Sequence, residues 1–108
     1  MTWDELRQRA LNTAKLYDKL NQKQAQSIWR AEDYFQGFVG DVCDLAKLIN
    51  VQKRAHRVDD PGGALAHELA DLLWSVIILA DRLDVDLPAA FQKMTDDLKN
   101  KLDGKLAK

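Results

Sequence analysis

The 108-residue chain has few of the residues that build disulfide-rich, β-rich or membrane-spanning proteins. Because Cys43 is its single cysteine, no internal disulfide can form and an oxidising compartment is not required. Prolines number two and glycines five, and no segment has the alternating pattern of a strand. The longest apolar run, Leu72 to Ala80, is interrupted by Ser75 and is too short to cross a bilayer. The first ten residues contain acids and no apolar core, so no secretory signal is expected. We therefore expect a cytoplasmic protein without a membrane segment.

The chain also has no excess of either charge, with 16 basic and 17 acidic residues and a formal net charge of −1. Nucleic-acid polymers and anionic membranes require clustered cations, so neither is an expected partner. A small phosphorylated ligand remains possible, because it needs only a few cations in one place. The length predicts a single domain, residues 1–108, whose small core would gain from association with another copy.

Helical periodicity runs through most of the chain and predicts an all-α fold, a four-helix bundle. Thr2 and Glu5 have the spacing of a capping box at the start of the first helix. Asp86 is a predicted N-cap for the last helix, with Pro88 in its first turn. Gly37 and Gly40 indicate either close approach of another group to the second helix or a break near Gly37. The first helix is predicted over residues 2–24 and the second from residue 27 or 32 to about residue 57. A loop is predicted at 58–63. The third helix is predicted at 64–83 and the fourth from 86 to about 102.

The third predicted helix carries two acids in apolar surroundings. Its sequence from Leu65 to Ala80 is apolar on nearly every side, which is typical of a buried helix. Glu68 and Asp71 are three residues apart and therefore share one face. Two unpaired carboxylates in such surroundings would be costly, and a divalent cation would compensate them directly. Hard carboxylate oxygens are the ligands that Mg²⁺ and Mn²⁺ prefer.

The second predicted helix repeats this arrangement with Asp41 and Asp44. Two helices that each offer an acid pair can bring four carboxylates to one pocket, which suits hydrolytic phosphoryl or nucleotidyl transfer. Two alternatives remain open. Acid pairs at this spacing are common on solvated helix faces, and Lys47, Arg54 or Arg57 could form buried salt bridges with them.

The segment Phe38 to Ile49 resembles the E-x-x-E helix of the MazG-like, all-α nucleotide pyrophosphohydrolases. The segment His67 to Trp74 resembles the E-x-x-D helix of that family, and Ala90 to Lys93 is similar to the start of its last helix. The resemblance covers roughly residues 29–102. It implies a MazG-like bundle whose core is completed by dimerisation, as a homodimer or a dimer of dimers. It also implies Mg²⁺, with Mn²⁺ as an alternative, held by Asp41, Asp44, Glu68 and Asp71.

Such enzymes convert nucleoside triphosphates, often non-standard or deoxy ones, to a monophosphate and pyrophosphate. The resemblance implies that one of the four acids also orients or deprotonates the attacking water, and that Lys93 binds phosphate. Phosphoribosyl-ATP pyrophosphohydrolases share this chemistry, and the sequence does not separate the two substrate classes. The chain departs from the family pattern at two points. The two glutamates of the family's E-x-x-E helix are aspartates here, Asp41 and Asp44. Gly40 occupies a position that is commonly acidic in the family. These departures leave a catalytically silent nucleotide- and metal-binding module as an alternative, and a purely structural helical dimerisation module as another.

Other side chains are candidates for substrate binding. Trp29 and Tyr34 are predicted either to stack on a nucleobase or to belong to the core. Lys47, Arg54 and Arg57 are predicted phosphate-binding cations, although cations near a helix C-terminus are also favoured by its dipole. Trp74 and Cys43 are interpreted as packing residues.

Overall fold

In a computed structural model, the described part of the chain forms four α-helices. The structure describes the backbone of residues 1–55 and 61–108, and the side chains of residues 1–50 and 63–108. Within these ranges the chain has no strand, which confirms the predicted all-α class. The helices are α1 (Trp3–Lys23), α2 (Ala31–Ala55), α3 (Pro61–Arg82) and α4 (Leu87–Leu106).

Local signals in the sequence define the helix ends. The Glu5 amide donates to Thr2 Oγ1 at 3.1 Å at the start of α1, and the Ala89 amide donates to Asp86 Oδ1 at 3.2 Å at the start of α4. Both predicted N-caps are therefore confirmed. The predicted loop at 58–63 is wrong over residues 61–63, which form the first turn of α3; the other three residues lie outside the described part.

Two helices end in Schellman motifs built without glycine. At the end of α1, the Gln26 amide donates to the Asn21 carbonyl at 2.7 Å while Ala25 adopts a left-handed φ of 56°. At the end of α3, the Val85 amide donates to the Ala80 carbonyl at 2.8 Å while Asp84 has a φ of 57°. The second motif directs the chain into α4.

The core lies where α1 and the N-terminal part of α2 meet the C-terminal half of α3. Its buried residues are Ala10, Ala14, Tyr34, Ile77 and Ile78. The two alanines allow α1 to approach α3 closely, so that the indole of Trp74 donates from Nε1 to the Ala10 carbonyl at 3.2 Å. The interpretation of Trp74 as a packing residue is confirmed.

Two ion pairs connect α1 to the C-terminal end of α3. Arg7 pairs with Asp81 at 2.6 Å, and Arg82 lies 3.9 Å from Asp18. The guanidinium of Arg82 also sits over the ring of Tyr34, 5.7 Å from its centroid, so one side chain links all three helices.

Helices α2 and α3 form an antiparallel hairpin. Tyr34, near the start of α2, contacts Trp74 and Arg82 in the C-terminal half of α3, whereas Asp44, farther along α2, lies beside Glu68 near the start of α3. Helix α2 continues through Gly37 without a break.

The expectation that α3 is buried on nearly every side is wrong for its first half. Leu69 and Leu73 are exposed, because α1 covers only the later turns of α3. By length and composition alone, Gly63–Arg82 could cross a membrane, a test that the core helix of a soluble protein also passes. In this chain the C-terminal half of that helix provides Ile77 and Ile78 of the core.

Helix α4 buries none of its residues against the other described helices. It also runs one turn beyond the predicted end near Leu102. The ion pair of Lys99 with Asp103, at 2.7 Å, spans the last turns and supports the helix through Gly104.

Candidate functional site

Three of the four predicted metal-binding acids come together between α2 and α3. Carboxylate oxygens of Asp41, Asp44 and Glu68 lie within 4.8 Å of one another. The antiparallel hairpin explains this cluster, because acids three residues apart on each helix face acids three residues apart on the other.

The fourth acid, Asp71, is turned toward a neighbour on its own helix. Its Oδ2 lies 3.2 Å from Nε2 of His67, one turn earlier. Asp71 nevertheless remains close to the cluster, since its charge raises the pKa of the Asp41 carboxyl.

The electrostatics of the cluster favour a cation. Partial burial, and then the charges of Asp71 and Asp44, raise the pKa of Asp41 above its ordinary value, while His67 lowers it. Partial burial also raises the pKa of Glu68, and the neighbouring acids add to this shift. Burial and the neighbouring like charges therefore both disfavour the ionised form of these two carboxyl groups.

Among the described side chains, no lysine or arginine compensates this charge. Oε2 of Glu68 is buried and has no hydrogen-bond partner within the described part of the chain. A buried acceptor of this kind is normally satisfied by a donor, a water or an ion. The salt bridges considered for Lys47 are absent here, because Lys47 is exposed and forms no ion pair with a described side chain.

The donor set fits a small hard cation. Ligands about 2.1 Å from Mg²⁺ lie roughly 3.0–4.2 Å from one another in an octahedron. The observed limit of 4.8 Å is slightly wider. Asp44 is exposed, so a small rotation of its side chain is free to close the difference.

A cleft of about 830 Å³ opens beside the acids, between α1, the N-terminal half of α2 and α3. Asp41 and Asp71 line one part of it, so the cleft is continuous with the acid cluster. Aromatic rings form much of its wall, and polar side chains of α1 and of the following loop complete it. The aromatic residues are Tyr17, Trp29, Tyr34 and Trp74; the polar ones include Arg9, Thr13, Asn21, Gln24 and Gln26.

Trp29 and Tyr34 differ in what they can offer a ligand. Trp29 precedes the first turn of α2 and packs edge-on against Tyr34, with ring centroids 5.3 Å apart, as in a hydrophobic staple. The Trp29 ring also covers Gly37, since a methyl group added at Gly37 would lie 3.5 Å from it, and the side chain remains 44% exposed. Tyr34 is only 2% exposed, so its ring supports Trp29 rather than offering a face for stacking.

The predicted cations are dispersed. Lys93 lies on α4, where it pairs with Asp97 at 2.8 Å, and it does not line the cleft. The side chain of Arg54 and the whole of Arg57 lie outside the described part. The described cation that lines the cleft is Arg9 of α1, which belongs to no motif that sequence reasoning could identify.

Comparisons with known proteins find no match: no protein-family model, no curated protein and no solved structure matches the chain.

Proposed function

We propose that the protein is a cytoplasmic, Mg²⁺-dependent nucleoside triphosphate pyrophosphohydrolase that releases a nucleoside monophosphate and pyrophosphate, with Mn²⁺ as an alternative metal. The observation that carries this proposal is the convergence of Asp41, Asp44 and Glu68 on one point beside a large cleft. The resemblance of the two acid helices to the MazG-like enzymes adds the reaction class.

The acids have separate tasks in this proposal. Asp41, Asp44 and Glu68 hold the cation, and Asp71, which lines the cleft next to them, completes the ligand set and orients the attacking water. When bound, such a cation would neutralise phosphate charge and supply an activated water for hydrolysis. The excess of acids makes binding of a triphosphate without a metal unfavourable.

The cleft then receives the nucleoside. The exposed face of Trp29 stacks on the base, and Tyr34 beneath it keeps the indole in place. Arg9 is the cation available to the phosphates from α1. Side-chain amides of Asn21, Gln24 and Gln26 can each donate and accept hydrogen bonds at the rim.

The test is pyrophosphate release from a panel of standard, deoxy and modified nucleoside triphosphates, with Mg²⁺ or Mn²⁺ and with a chelator. We expect metal-dependent release with an equal amount of monophosphate, and loss of both in Glu68→Gln but not in Asp96→Asn, an exposed acid on α4. If nucleotide and metal raise the melting temperature but nothing is hydrolysed, the protein is a silent binding module. If neither binds, the acids are structural and the proposal is wrong.

A further inference from the structure

Ser75 of α3 is a buried serine whose hydroxyl has no hydrogen-bond partner in the described part of the chain. The residue is 4% exposed, and no described residue donates to its hydroxyl or accepts from it. The two threonines inside helices do have partners. Oγ1 of Thr13 donates to the Arg9 carbonyl at 2.9 Å, and Oγ1 of Thr95 donates at the same distance to the carbonyl one turn before it. A buried hydroxyl is normally satisfied by protein, water or a ligand, so the Ser75 hydroxyl is available to a ligand.

The hydroxyl of Ser75 is reached from the cleft beside the acids. Ser75 is one of the residues that line this cleft. Within the described part of the chain, the fully enclosed polar atoms that lack a partner are Asp18 Oδ1, the Tyr34 hydroxyl and Glu68 Oε2. Oγ of Ser75 is not among them, so it stays in contact with the cleft although most of the residue is buried. A molecule in the cleft would therefore meet this hydroxyl at the cleft floor.

Ser75 lies one helical turn from the acids. Asp41 of α2 and Asp71 of α3 lie close together and both line the cleft. Because α2 and α3 are antiparallel, Gly37, four residues before Asp41, lies level with Ser75, four residues after Asp71. Gly37 and Ser75 also line the cleft. One turn rises about 5.4 Å, so the hydroxyl faces a ligand at about that distance along the hairpin from the acids.

The ring that is proposed to stack on the base lies at the same level of the cleft. The indole of Trp29 covers Gly37, since a methyl group added there would lie 3.5 Å from the ring. Trp29 is 44% exposed whereas Ser75 is almost completely buried, so the indole forms the rim of this part of the cleft and the hydroxyl forms its floor. A nucleotide whose phosphates are held at the acids and whose base stacks on Trp29 therefore presents its sugar to Ser75.

From this placement we infer that the Ser75 hydroxyl hydrogen-bonds the 3′-hydroxyl of the substrate's sugar and selects nucleotides that carry this group. The inference rests on the proposed function, because the acid cluster and Trp29 set the orientation of the nucleotide. The 3′-hydroxyl is common to ribo- and deoxyribonucleotides, and it is one bond nearer to the 5′-phosphates than the 2′-hydroxyl is. Two hydroxyls can each donate or accept, and a site that bonds a substrate hydroxyl discriminates against the analogue that lacks it.

The test is a cycle that removes the two hydroxyls separately and together. Isothermal titration calorimetry with Mg²⁺ measures the affinities of a 2′-deoxynucleoside triphosphate and its 2′,3′-dideoxy counterpart for the unmodified protein and for Ser75→Ala. The base is the one that binds most tightly in the panel, and an imido group between the α and β phosphates prevents hydrolysis. Removing either hydroxyl should weaken binding by about 3–10-fold. Once one hydroxyl is absent, removing the other should change the affinity by less than ~2-fold.

Two controls isolate this pair of hydroxyls. Thr13→Val removes a hydroxyl from another wall of the cleft, one that already donates to the Arg9 carbonyl, and should leave the preference for the 3′-hydroxyl intact. The matching ribonucleotide analogue differs from the deoxynucleotide only in its 2′-hydroxyl, and Ser75→Ala should weaken the binding of both by the same factor. Circular dichroism checks that each variant is folded.

The outcomes separate this inference from the proposed function. A Ser75→Ala variant that retains the preference for the 3′-hydroxyl, or an unmodified protein that binds both analogues equally, would overturn the inference even if the hydrolysable triphosphate is cleaved. If the cycle gives the expected result but the hydrolysable triphosphate is not cleaved, the inference holds and the pyrophosphohydrolase function is wrong. If no nucleotide binds, both are wrong.

Discussion

Asp41 of α2 and Glu68 of α3 place carboxylate oxygens within 4.8 Å of each other across the hairpin, and Asp44 joins them. Partial burial, and then repulsion between these like charges, raises the pKa of both Asp41 and Glu68. The hairpin therefore carries a local cost when no cation is bound, and this cost can be measured.

Neutralising Glu68 should stabilise the metal-free protein. Glu68→Gln preserves the shape of the side chain and removes one of the crowded charges, so the melting temperature without metal should rise. The same substitution should abolish the increase in melting temperature that Mg²⁺ or Mn²⁺ gives the unmodified protein. Asp96→Asn, the control on α4, should leave the metal response intact. If the melting temperature of Glu68→Gln still rises with metal, Glu68 is not a metal ligand.

The pH dependence of stability has a definite sign. Because the folded pKa values of Asp41 and Glu68 are raised, the folded state holds these protons more tightly than the unfolded chain does. Their contribution to stability is therefore lost as pH rises from the ordinary values of 3.8 and 4.5 through the raised ones.

Melting temperatures of the metal-free protein and of the double variant Asp41→Asn/Glu68→Gln check this between about pH 4 and pH 7. The two melting temperatures should be close at the acidic end of this range. As pH rises, the melting temperature of the double variant should increasingly exceed that of the unmodified protein, and the difference should then level off. A difference that shrinks as pH rises would contradict the assignment.

Replacing Ala25 should stabilise α1. Ala25 occupies the left-handed position of a Schellman motif, φ 56°, which costs an L-residue more than it costs glycine. Ala25→Gly should therefore raise the free energy of unfolding. Once the extra conformational entropy that glycine gives the unfolded chain is subtracted, the net gain should be roughly 0.5–1 kcal/mol. Ala89→Gly, in the first turn of α4, provides the opposite control and should lower it. Urea denaturation measures the free energy of unfolding of each variant. Changes of the same sign in the two variants would contradict the explanation.

Trp29 should contribute more to nucleotide binding than its neighbour. Stacking of a base on an aromatic ring is worth about 1–3 kcal/mol, so Trp29→Ala should weaken nucleotide binding in the presence of metal by about 5–150-fold. Trp29→Phe should retain most of the affinity. Ile28→Ala removes an adjacent side chain of similar exposure and should have little effect. Isothermal titration calorimetry measures the three affinities. Equal affinities for Trp29→Ala and the unmodified protein would show that Trp29 only staples the start of α2.

The sequence predicts well the parts of the fold that depend on neighbouring residues. Thr2 and Asp86 cap their helices as expected, because capping hydrogen bonds span only three residues. The end of α4 and the start of α3 are predicted less well, since ion pairs such as Lys99–Asp103 and the tolerance of Pro61 in a first turn extend both helices.

The tertiary arrangement is harder to predict. Spacing places the acid pairs on helix faces, but only the antiparallel pairing of α2 with α3 shows which three acids converge and that Asp71 turns toward His67. The cleft wall formed by α1 has no motif, because Arg9 and Asn21 are ordinary surface residues in sequence. The burial of Tyr34 depends on Trp74 and Arg82, which lie about 40–50 residues away.

The most direct test of the central claim is a time course of pyrophosphate and monophosphate from a deoxynucleoside triphosphate with Mg²⁺, for the unmodified protein and for Glu68→Gln. The proposed chemistry predicts equal amounts of both products from the unmodified protein, none after chelation, and at most a trace from Glu68→Gln. Equal rates from the two proteins, or none from the unmodified protein with any triphosphate of the panel, would contradict it.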